Sequence, residues 1–481
     1  MMGFLKVNRR YFIKAMLATM ASLAMSQIVY GRGEFLEVGR TTPDFIIIFT
    51  DDQGYGDLGV FGATDIATPN IDRMAREGII FTNFYVGSPV CTPSRASLLT
   101  GCYSKRVGLQ QGVLFPNDRS GLHPDVITIA DLLKGKGYST ACIGKWHLGR
   151  PSELLPTRQG FDYYFGVPYS NDMNPKHPLA ESMGGFPPLP LMKNEDVIES
   201  PVDQSTLTGR YVEEAISFIE NNRDEPFFIY LAHSMPHYPC HSSDSFTDSS
   251  KRGDYGDAVQ EIDYGAGRII QTLQELGIDE NTLIVFTSDN GPWKSAEEPN
   301  FINMGGDGTT GSALPLSGWK GQTLEGGMRV PTVMRWPRYL PANTRCDALA
   351  CTLDFLPTIA GLVSADLPLD RVIDGKSILR LMKDPSSKSP HDYFYYYSSV
   401  TKNLNAIRDA QGFKLHFWRD PEGYGNGGPY KVKELYFLPE DIDESDNIYT
   451  KRPDVVRRLT EAAEAFDGEL AKNIRPVAKI P

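Results

Sequence analysis

The chain has 481 residues, enough for two or three average domains or for one large α/β domain with an appendage. Its 41% hydrophobic and 22% charged residues are ordinary globular values, so collagen-like, disulfide-scaffold and disordered proteins are excluded. The net charge is -12, from 60 acidic and 48 basic residues, and a dedicated nucleic-acid binder would need a basic surface. An acidic chain is instead suited to holding a divalent cation.

The first thirty residues are typical of an export signal. Basic residues precede an apolar run from Ala15 to Met25 that is too short to span a bilayer, and Ala24-Met25-Ser26 resembles a cleavage site. We therefore predict a signal peptide over residues 1–26. The pair Arg9-Arg10 resembles a twin-arginine signal, and an ordinary secretory signal stays open as the alternative. We expect the twin-arginine export machinery as a partner, a periplasmic or secreted location in a bacterium, and no stable membrane insertion.

From Asp44 onward, short β-branched and aromatic runs alternate with helix-patterned segments, which predicts an α/β domain with helices on the faces of a sheet, over residues 43–372. The predicted strands are Asp44 to Thr50, Ile79 to Val86, Tyr138 to Lys145, Pro226 to Ala232, Thr282 to Ser288 and Val330 to Trp336. The predicted helices are Pro69 to Glu77, Pro93 to Gly101, Ile127 to Lys134, Thr206 to Asn222, Tyr255 to Leu276 and Leu353 to Leu362.

The pattern changes after about Ile373. Strand-like runs and a final helix predict a smaller C-terminal α+β subdomain over residues 373–481. Its predicted elements are strands at Tyr393 to Ser398, Asn405 to Arg408 and Phe413 to Trp418, and a helix from Pro453 to Leu470. Three long polar stretches interrupt the first domain, and loops of this length are usually functional. These candidate substrate-facing loops are Pro168 to Pro201, Pro239 to Asp254 and Pro292 to Pro315.

The six cysteines are scattered and include no C-x-x-C pair, so neither a disulfide framework nor a zinc ribbon is indicated. Cys346 and Cys351 are near enough in sequence to bridge in an oxidising compartment. Buried free thiols are the commoner state of such residues, and the sequence leaves the choice open.

Oxygen ligands follow two of the predicted strands directly. Asp51 and Asp52 come after the first strand, and Asp289 and Asn290 come after the strand that ends at Ser288. Adjacent carboxylates repel each other unless a cation lies between them. Turn-forming aspartates before Gly54 and Gly56 are the alternative interpretation of Asp51 and Asp52 alone. Together the four residues predict a site for Ca²⁺ or Mg²⁺ rather than for zinc.

The segment from Cys91 to Gly101 is the most informative motif. Pro93 stands where a helix could begin, so Cys91 would lie just before a helix N-terminus, where backbone amides favour an anion. Arg95 in the first turn adds a guanidinium suited to a tetrahedral oxyanion. A lone cysteine is more often a small buried hydrophobic residue, and the flanking pattern reverses that preference here.

This segment resembles the type I sulfatases of the alkaline phosphatase superfamily, whose signature is Cys-x-Pro-Ser-Arg followed after a spacer by Leu-Leu-Thr-Gly. The resemblance implies an α/β fold with a large central mixed sheet flanked by helices. It also implies that Cys91 is converted by a maturation enzyme into Cα-formylglycine, which is the nucleophile and a metal ligand. The implied activity is that of a sulfuric ester hydrolase of the arylsulfatase class with a bound Ca²⁺, Mg²⁺ being the alternative.

Further blocks match the same family in order along the chain. The block Gly144 to Gly149 implies that Lys145 binds sulfate and that His147 is a partner of the formylglycine hydroxyl; a strand ending in Lys-x-His would also place both side chains on one face. The family pattern further implies that His237 is the leaving-group acid and that Lys320 bridges sulfate and the leaving oxygen. Asp289 and Asn290 match the metal ligands that complete the set begun by Asp51 and Asp52.

The substrate is less evident from the sequence. The segment from Gly160 to Asp172 is similar to the arylsulfatase A and N-acetylgalactosamine-6-sulfatase branch, which implies exo-acting desulfation of a sulfated glycan. Hydroxyl contacts and a stacking face could come from Asn171, Asp172, His177 and Trp293, each of which is equally well an ordinary loop residue. Two alternatives stay open: a phosphomonoesterase or phosphonate hydrolase of the same superfamily, and an unmodified protein that only binds sulfated glycans.

Overall fold

The structure is a computed structural model that describes residues 42–110, 112–293, 307, 309–421 and 429–481. The predicted signal peptide, with Arg9 and Arg10, lies outside the described residues, as do most of residues 294–308 in the third predicted loop. A search of the described part of the chain finds no helix with the length and apolar character needed to cross a membrane.

The described residues form eighteen strands and nine α-helices. The strands are β1 Asp44–Thr50, β2 Ile79–Phe81, β3 Phe84–Tyr85, β4 Ser120–Gly121, β5 Ser139–Gly144, β6 Tyr163–Gly166, β7 Leu191–Lys193, β8 Asp196–Glu199, β9 Phe227–Ala232, β10 Thr282–Ser288, β11 Thr332–Arg335, β12 Thr344–Cys346, β13 Ala350–Cys351, β14 Tyr393–Tyr397, β15 Leu404–Asp409, β16 Phe413–Arg419, β17 Tyr430–Phe437 and β18 Ala478–Lys479. The helices are α1 Pro69–Arg76, α2 Cys91–Thr100, α3 Ile129–Lys134, α4 Leu207–Asn221, α5 Gly253–Glu275, α6 Glu325–Met328, α7 Phe355–Leu362, α8 Leu379–Lys383 and α9 Pro453–Leu470.

A ten-stranded mixed sheet organises the molecule, in the order β12-β2-β11-β10-β1-β9-β5-β6-β7-β8. The five central strands β10, β1, β9, β5 and β6 run parallel to one another. Alternate residues of β1 enter two different core clusters: Phe45, Ile47 and Phe49 belong to one, and Ile46 and Ile48 belong to the other. A strand covered on both faces is apolar throughout, which explains the continuous hydrophobic run that predicted β1.

The C-terminal region forms a separate four-stranded antiparallel sheet in the order β14-β15-β16-β17, and α9 packs against β15 and β16. Its fourth strand, β17, was not among the predicted elements. The predicted fold class is confirmed: a large mixed sheet flanked by helices, with a small C-terminal antiparallel sheet and a helix. The structure keeps all six cysteines as buried free thiols.

The bounds of most predicted elements lie within two residues of those in the structure. The predicted strand from Ile79 to Val86 is divided into β2 and β3, which belong to different sheets. The helix predicted to begin at Pro93 begins at Cys91, because Val90 is the extended N-cap and its carbonyl accepts from Ser94 N at 3.1 Å. Pro93 is tolerated inside this first turn because the first four N–H groups of a helix have no partner within the helix.

Candidate active site

The two predicted groups of oxygen ligands meet at the carboxyl edge of the sheet. β1 and β10 are parallel neighbours with Thr50 opposite Ser288, so the residues that follow the two strands emerge side by side. Asp52 N donates to Asp289 Oδ1 at 3.1 Å, and Asn290 Nδ2 donates to Asp52 Oδ1 at 2.7 Å. Asp51 is buried with them, and none of these four side chains is more than 1% exposed.

Helix α2 brings Cys91 and Arg95 to the same place. The Cys91 Sγ lies 3.6 Å from Asp51 Oδ1, at the first residue of the helix. Arg95, one turn further, donates from Nη2 to Asp289 Oδ2 at 2.8 Å, and its Nη2 lies 3.5 Å from Asp51 Oδ2. A fully buried guanidinium is stable only when it is paired, and these carboxylates pair with it.

Lys145 and His147 follow β5 but do not share a strand face. β5 ends at Gly144, and His147 has a left-handed backbone with φ 59°, so the argument from strand alternation does not apply. Lys145 Nζ donates to Asp51 Oδ2 at 2.5 Å. His147 Nε2 donates to Leu114 O at 2.9 Å, and its Nδ1 is buried without a partner among the described residues.

His237 and Lys320 approach Asp52. Lys320 Nζ donates to Asp52 Oδ2 at 2.8 Å, and His237 Nε2 lies 3.5 Å from the same oxygen. The other ring nitrogen of His237 lies 2.7 Å from Tyr238 O, which can only accept. Six of the predicted site residues therefore make three direct pairs of opposite charge: Arg95 with Asp289, Lys145 with Asp51, and Lys320 with Asp52.

Burial and these charges set the protonation states in the site. Burial alone would raise the pKa of Asp51, but Lys145 and the other nearby cations hold that pKa well below its usual range. Burial and the charge of Asp51 raise the pKa of Asp289 to about 7. Burial raises the pKa of the Cys91 thiol to about 12, and burial with Lys145 holds the pKa of His147 well below its usual range. His147 is therefore neutral at pH 7.

Buried side chains at this site can hold a metal ion. Asp51, Asp52, Cys91 and His237 each offer one ligand atom, and these atoms lie within 4.8 Å of one another. Asn290 Oδ1 is buried and has no hydrogen-bond partner in the described chain. Carboxylate and amide oxygens are the ligands that Ca²⁺ and Mg²⁺ prefer.

The residues predicted to contact a sugar lie in different environments. Asn171 is fully buried and donates to Pro239 O at 3.0 Å, so it supports the segment that carries His237. Asp172 and His177 approach each other at 3.4 Å and are both buried. The ring of Trp293 lies 5.2 Å from Lys320 Nζ, which places an aromatic face beside the charged site.

The sequence analysis missed two groups that hold the site residues. Ser170 Oγ accepts from Lys145 Nζ at 3.0 Å, and the Leu114 carbonyl fixes His147. Ser170 directly precedes the predicted Asn171, so its position in the chain was the available signal. A backbone carbonyl such as that of Leu114 leaves no signal in a sequence.

The mixed sheet and the charged site at its carboxyl edge define an α/β enzyme of the alkaline phosphatase type. The sulfatase family model matches residues 43–365, and the model described as N-sulphoglucosamine sulphohydrolase, C-terminal, matches residues 319–467. The chain belongs to the sulfatase family, as its motifs predicted, and it is a sulfuric ester hydrolase.

Several relatives resemble the chain over most of its length. Human arylsulfatase A is 38% identical over 84% of this chain and 83% of its own. The N-acetylgalactosamine-6-sulfatase of Sus scrofa is 37% identical over 78% of this chain and 72% of its own. The crystal structure of Ps i-CgsB in complex with k-i-k-neocarrahexaose is 28% identical with a TM-score of 0.73, and the match covers 89% of this chain and 93% of that chain.

Proposed function

We propose that the protein is an exo-acting sulfatase that removes sulfate from sulfated glycans, with a Cα-formylglycine made from Cys91 and a bound Ca²⁺, or Mg²⁺ in its place. The observation that carries this proposal is the position of Cys91, buried 3.6 Å from Asp51 inside a ring of three cations and three carboxylates. Two of the similar proteins support a sugar substrate: one is named for N-acetylgalactosamine-6-sulfate and one is in complex with a neocarrahexaose.

The unmodified thiol is poorly suited to the reaction. With a pKa near 12 the Cys91 thiol is almost entirely protonated at pH 7, and a protonated thiol is a weak nucleophile. When modified, the residue would supply a hydrated aldehyde with two hydroxyls: one would attack sulfur as the ester S–O bond breaks and the alcohol leaves, and the second would lose its proton so that sulfate is expelled as the aldehyde re-forms. This need for a second hydroxyl is the chemical reason for modification.

The cations of the site are assigned to the sulfate group. Arg95, Lys145 and Lys320 each pair with a carboxylate, and these pairs can exchange partners when a substrate anion and a metal cation enter together. The metal would be held by Asp51, Asp52, Asp289 and Asn290, and it would supply polarisation of a sulfate oxygen. The fixed positive charges stabilise the negative charge that develops on the sulfuryl oxygens.

Proton transfer is assigned to three residues. His147 is neutral, and its Nε2 proton is committed to Leu114, so its Nδ1 lone pair can accept a proton. Lys320 lies beside His237 at Asp52 and can deliver a proton to the departing alcohol oxygen. His237 can do so only in its protonated form, because its Nδ1 proton is held by Tyr238 O and burial lowers its pKa.

Maturation and export complete the proposal. A formylglycine-generating enzyme would act on Cys91, and the twin-arginine machinery would export the folded, modified protein to the periplasm or beyond. Replacement of Arg9 and Arg10 by lysine is then expected to leave modified protein in the cytoplasm. Modified protein in the periplasm of that strain would contradict this route.

Mass spectrometry of the peptide containing Cys91, from protein made in its native host, tests the central claim. A formylglycine mass together with sulfate release from sulfated sugars supports it, and Cys91→Ala is the inactive control. An unmodified cysteine with retained glycan binding would support the binding-protein alternative. Faster release of phosphate than of sulfate from matched esters would support the phosphatase alternative.

A further inference from the structure

A second cavity lies away from the catalytic residues, between helix α9 and the sheet of β15, β16 and β17. Its volume is about 800 Å³, within the range of sites that hold small organic ligands. The residues that line it and that matter here are Lys402, His416, Trp418, Lys431, Lys433 and Tyr449. Nothing in the mechanism above uses this cavity.

The wall of the cavity is cationic and aromatic. Lys402, Lys431 and Lys433 are exposed, and within the described ranges none of their ammonium groups pairs with a carboxylate. The Lys431 ammonium lies 5.2 Å from the centroid of the Trp418 ring, so charge and an apolar face adjoin. This combination is suited to an anionic sugar, which offers a C–H face for stacking and sulfate groups for the lysines.

Two carboxylates also line the cavity, and they do not cancel the lysines. Asp467 is already paired, since it accepts from Lys105 Nζ at 2.7 Å and from Tyr397 Oη at 2.9 Å. Glu464 is exposed. The cavity lining therefore has three lysines and only one carboxylate, Glu464, that is not already paired within the described residues. The net charge of the lining is positive, although the whole chain is acidic.

The cavity rim is connected to the catalytic site through one short segment. Ser399, in the turn that leads to Lys402, accepts from Gly112 N at 2.7 Å through its carbonyl. Two residues further, the Leu114 carbonyl holds His147. One short segment, residues 112–114, therefore contacts both the turn at the cavity rim and His147 of the catalytic site.

We propose that this cavity binds a second, non-reacting sulfated sugar unit of the substrate chain, with its ring on Trp418 and its sulfate on Lys431 and Lys433. The proposal rests on the proposed function, because it takes the substrate to be a sulfated glycan. It makes the C-terminal sheet a determinant of chain-length preference, separate from the residues that cleave the ester.

The test compares a short and a long substrate in the full-length, matured protein. The Lys431→Gln/Lys433→Gln and Trp418→Ala variants are expected to raise KM for a sulfated oligosaccharide about tenfold, with kcat unchanged. KM for the sulfated monosaccharide should not change, and the oligosaccharide effect should shrink at high salt. Lys193→Gln is the matched control, because Lys193 is also exposed and lies 5.5 Å from an aromatic ring, that of Tyr163.

Equal effects on both substrates would overturn the proposal, because the cavity would then serve folding alone. No effect on either substrate would also overturn it. Direct titration of the oligosaccharide into Cys91→Ala protein, with and without the lysine substitutions, separates this proposal from the proposed function. Lysine-dependent binding by Cys91→Ala protein, combined with a matured wild-type protein that cleaves no sulfate ester, would refute the catalytic proposal only. If the wild type cleaves sulfate esters but the lysine substitutions do not change oligosaccharide binding, only the cavity proposal is refuted.

Discussion

Three carboxylates and three cations occupy one fully buried site, and each side chain there depends on its neighbour. Asp51 lies 2.5 Å from the Lys145 ammonium, and Asp289 lies 2.8 Å from the Arg95 guanidinium. Removing one member of a buried pair leaves an uncompensated charge, which costs more than the pair itself contributes. Asp51, Asp52, Asp289 and Lys145 follow strands and Arg95 lies in the first turn of a helix, so local patterns marked them, whereas Lys320 was identified by the family motif. The pairing of these residues was not predictable, since the paired residues are far apart in sequence.

Removal of the divalent cation is expected to abolish sulfate release and to lower the melting temperature. A ligand at one hundred times its Kd stabilises a folded protein by about 2.7 kcal/mol, so chelation should produce a clear shift. Differential scanning fluorimetry and activity before and after chelation, followed by titration with Ca²⁺ or Mg²⁺, measure this and rank the two ions. Full activity in protein shown by elemental analysis to be metal-free would contradict it.

Asp44 is expected to make stability fall as pH rises. Burial raises its pKa to about 7 despite the hydrogen bond from Phe227 N, so the folded state retains a proton that the unfolded state loses near pH 4. The contribution of protonated Asp44 to the free energy of unfolding is complete below pH 4 and is lost as pH rises toward 7. Compared with wild type, Asp44→Asn should therefore gain stability between pH 4 and pH 7, by on the order of 2–4 kcal/mol.

Urea denaturation of wild type and Asp44→Asn at several pH values measures this difference. Asp162→Asn is a control in which the stability difference from wild type has the opposite sign. Partial burial would raise the pKa of Asp162, but hydrogen bonds, including the one from Lys134, lower it below its usual range. Relative to wild type, that variant should be less stable at every pH above about 4, and the deficit should vanish as pH falls through the lowered folded-state pKa. A pH-independent difference between Asp44→Asn and wild type would show that Asp44 titrates normally in the folded protein.

At the scale of elements, the strands buried on both faces were the easiest to predict. β1 and β10 match their predicted bounds residue for residue, because an uninterrupted apolar run with polar ends has few other interpretations. β17 was missed because its burial pattern is mostly exposed or intermediate, which leaves no alternation to detect. The start of α2 was misplaced because Pro93 is permitted at several positions of a first turn.

The end of β5 depends on a glycine that has no room for a side chain. Gly144 has φ 109°, and a Cβ there would lie 1.8 Å from Ala232 O on β9. The next residue is Lys145, whose N–H donates to the same carbonyl at 2.7 Å. Gly144→Ala is therefore expected to displace Lys145 and to lower kcat/KM about 100-fold or more, the usual cost of a 1 Å misplacement.

Gly62→Ala is a matched control for this prediction. Gly62 has the same φ of 109°, but no atom lies within 4 Å of its added Cβ. That variant should lose about 1 kcal/mol of stability from backbone strain alone and keep its kcat/KM. Steady-state kinetics with a small aryl sulfate and thermal denaturation distinguish the two. Equal kinetics for both variants would mean that the strand end does not position Lys145.

At the scale of the whole molecule, the C-terminal sheet holds the segment that carries Lys320. Glu325 lies five residues after Lys320 and is fully buried; its carboxylate accepts from Lys414 Nζ at 2.9 Å and from Tyr396 Oη at 3.0 Å. Glu444 lies 3.0 Å from the same ammonium. The family motif around Lys320 was evident from the sequence, whereas this anchorage was not, because its partners are 89 residues apart and carry no local pattern.

Lys414→Met tests whether this anchorage positions Lys320. The substitution leaves two buried carboxylates facing each other without their cation, so we expect a loss of about 3–5 kcal/mol in the free energy of unfolding. We also expect a fall in kcat larger than the change in KM, because Lys320 is assigned to the departing oxygen rather than to binding of the sugar. The Glu325→Gln/Lys414→Met double variant removes one of the two unpaired buried charges and should recover part of the stability.

Calorimetry and steady-state kinetics at a temperature where every variant is folded measure both effects. Lost stability with kcat intact would show that the C-terminal sheet serves folding alone, and that Lys320 is held in place by Asp52 and its own loop.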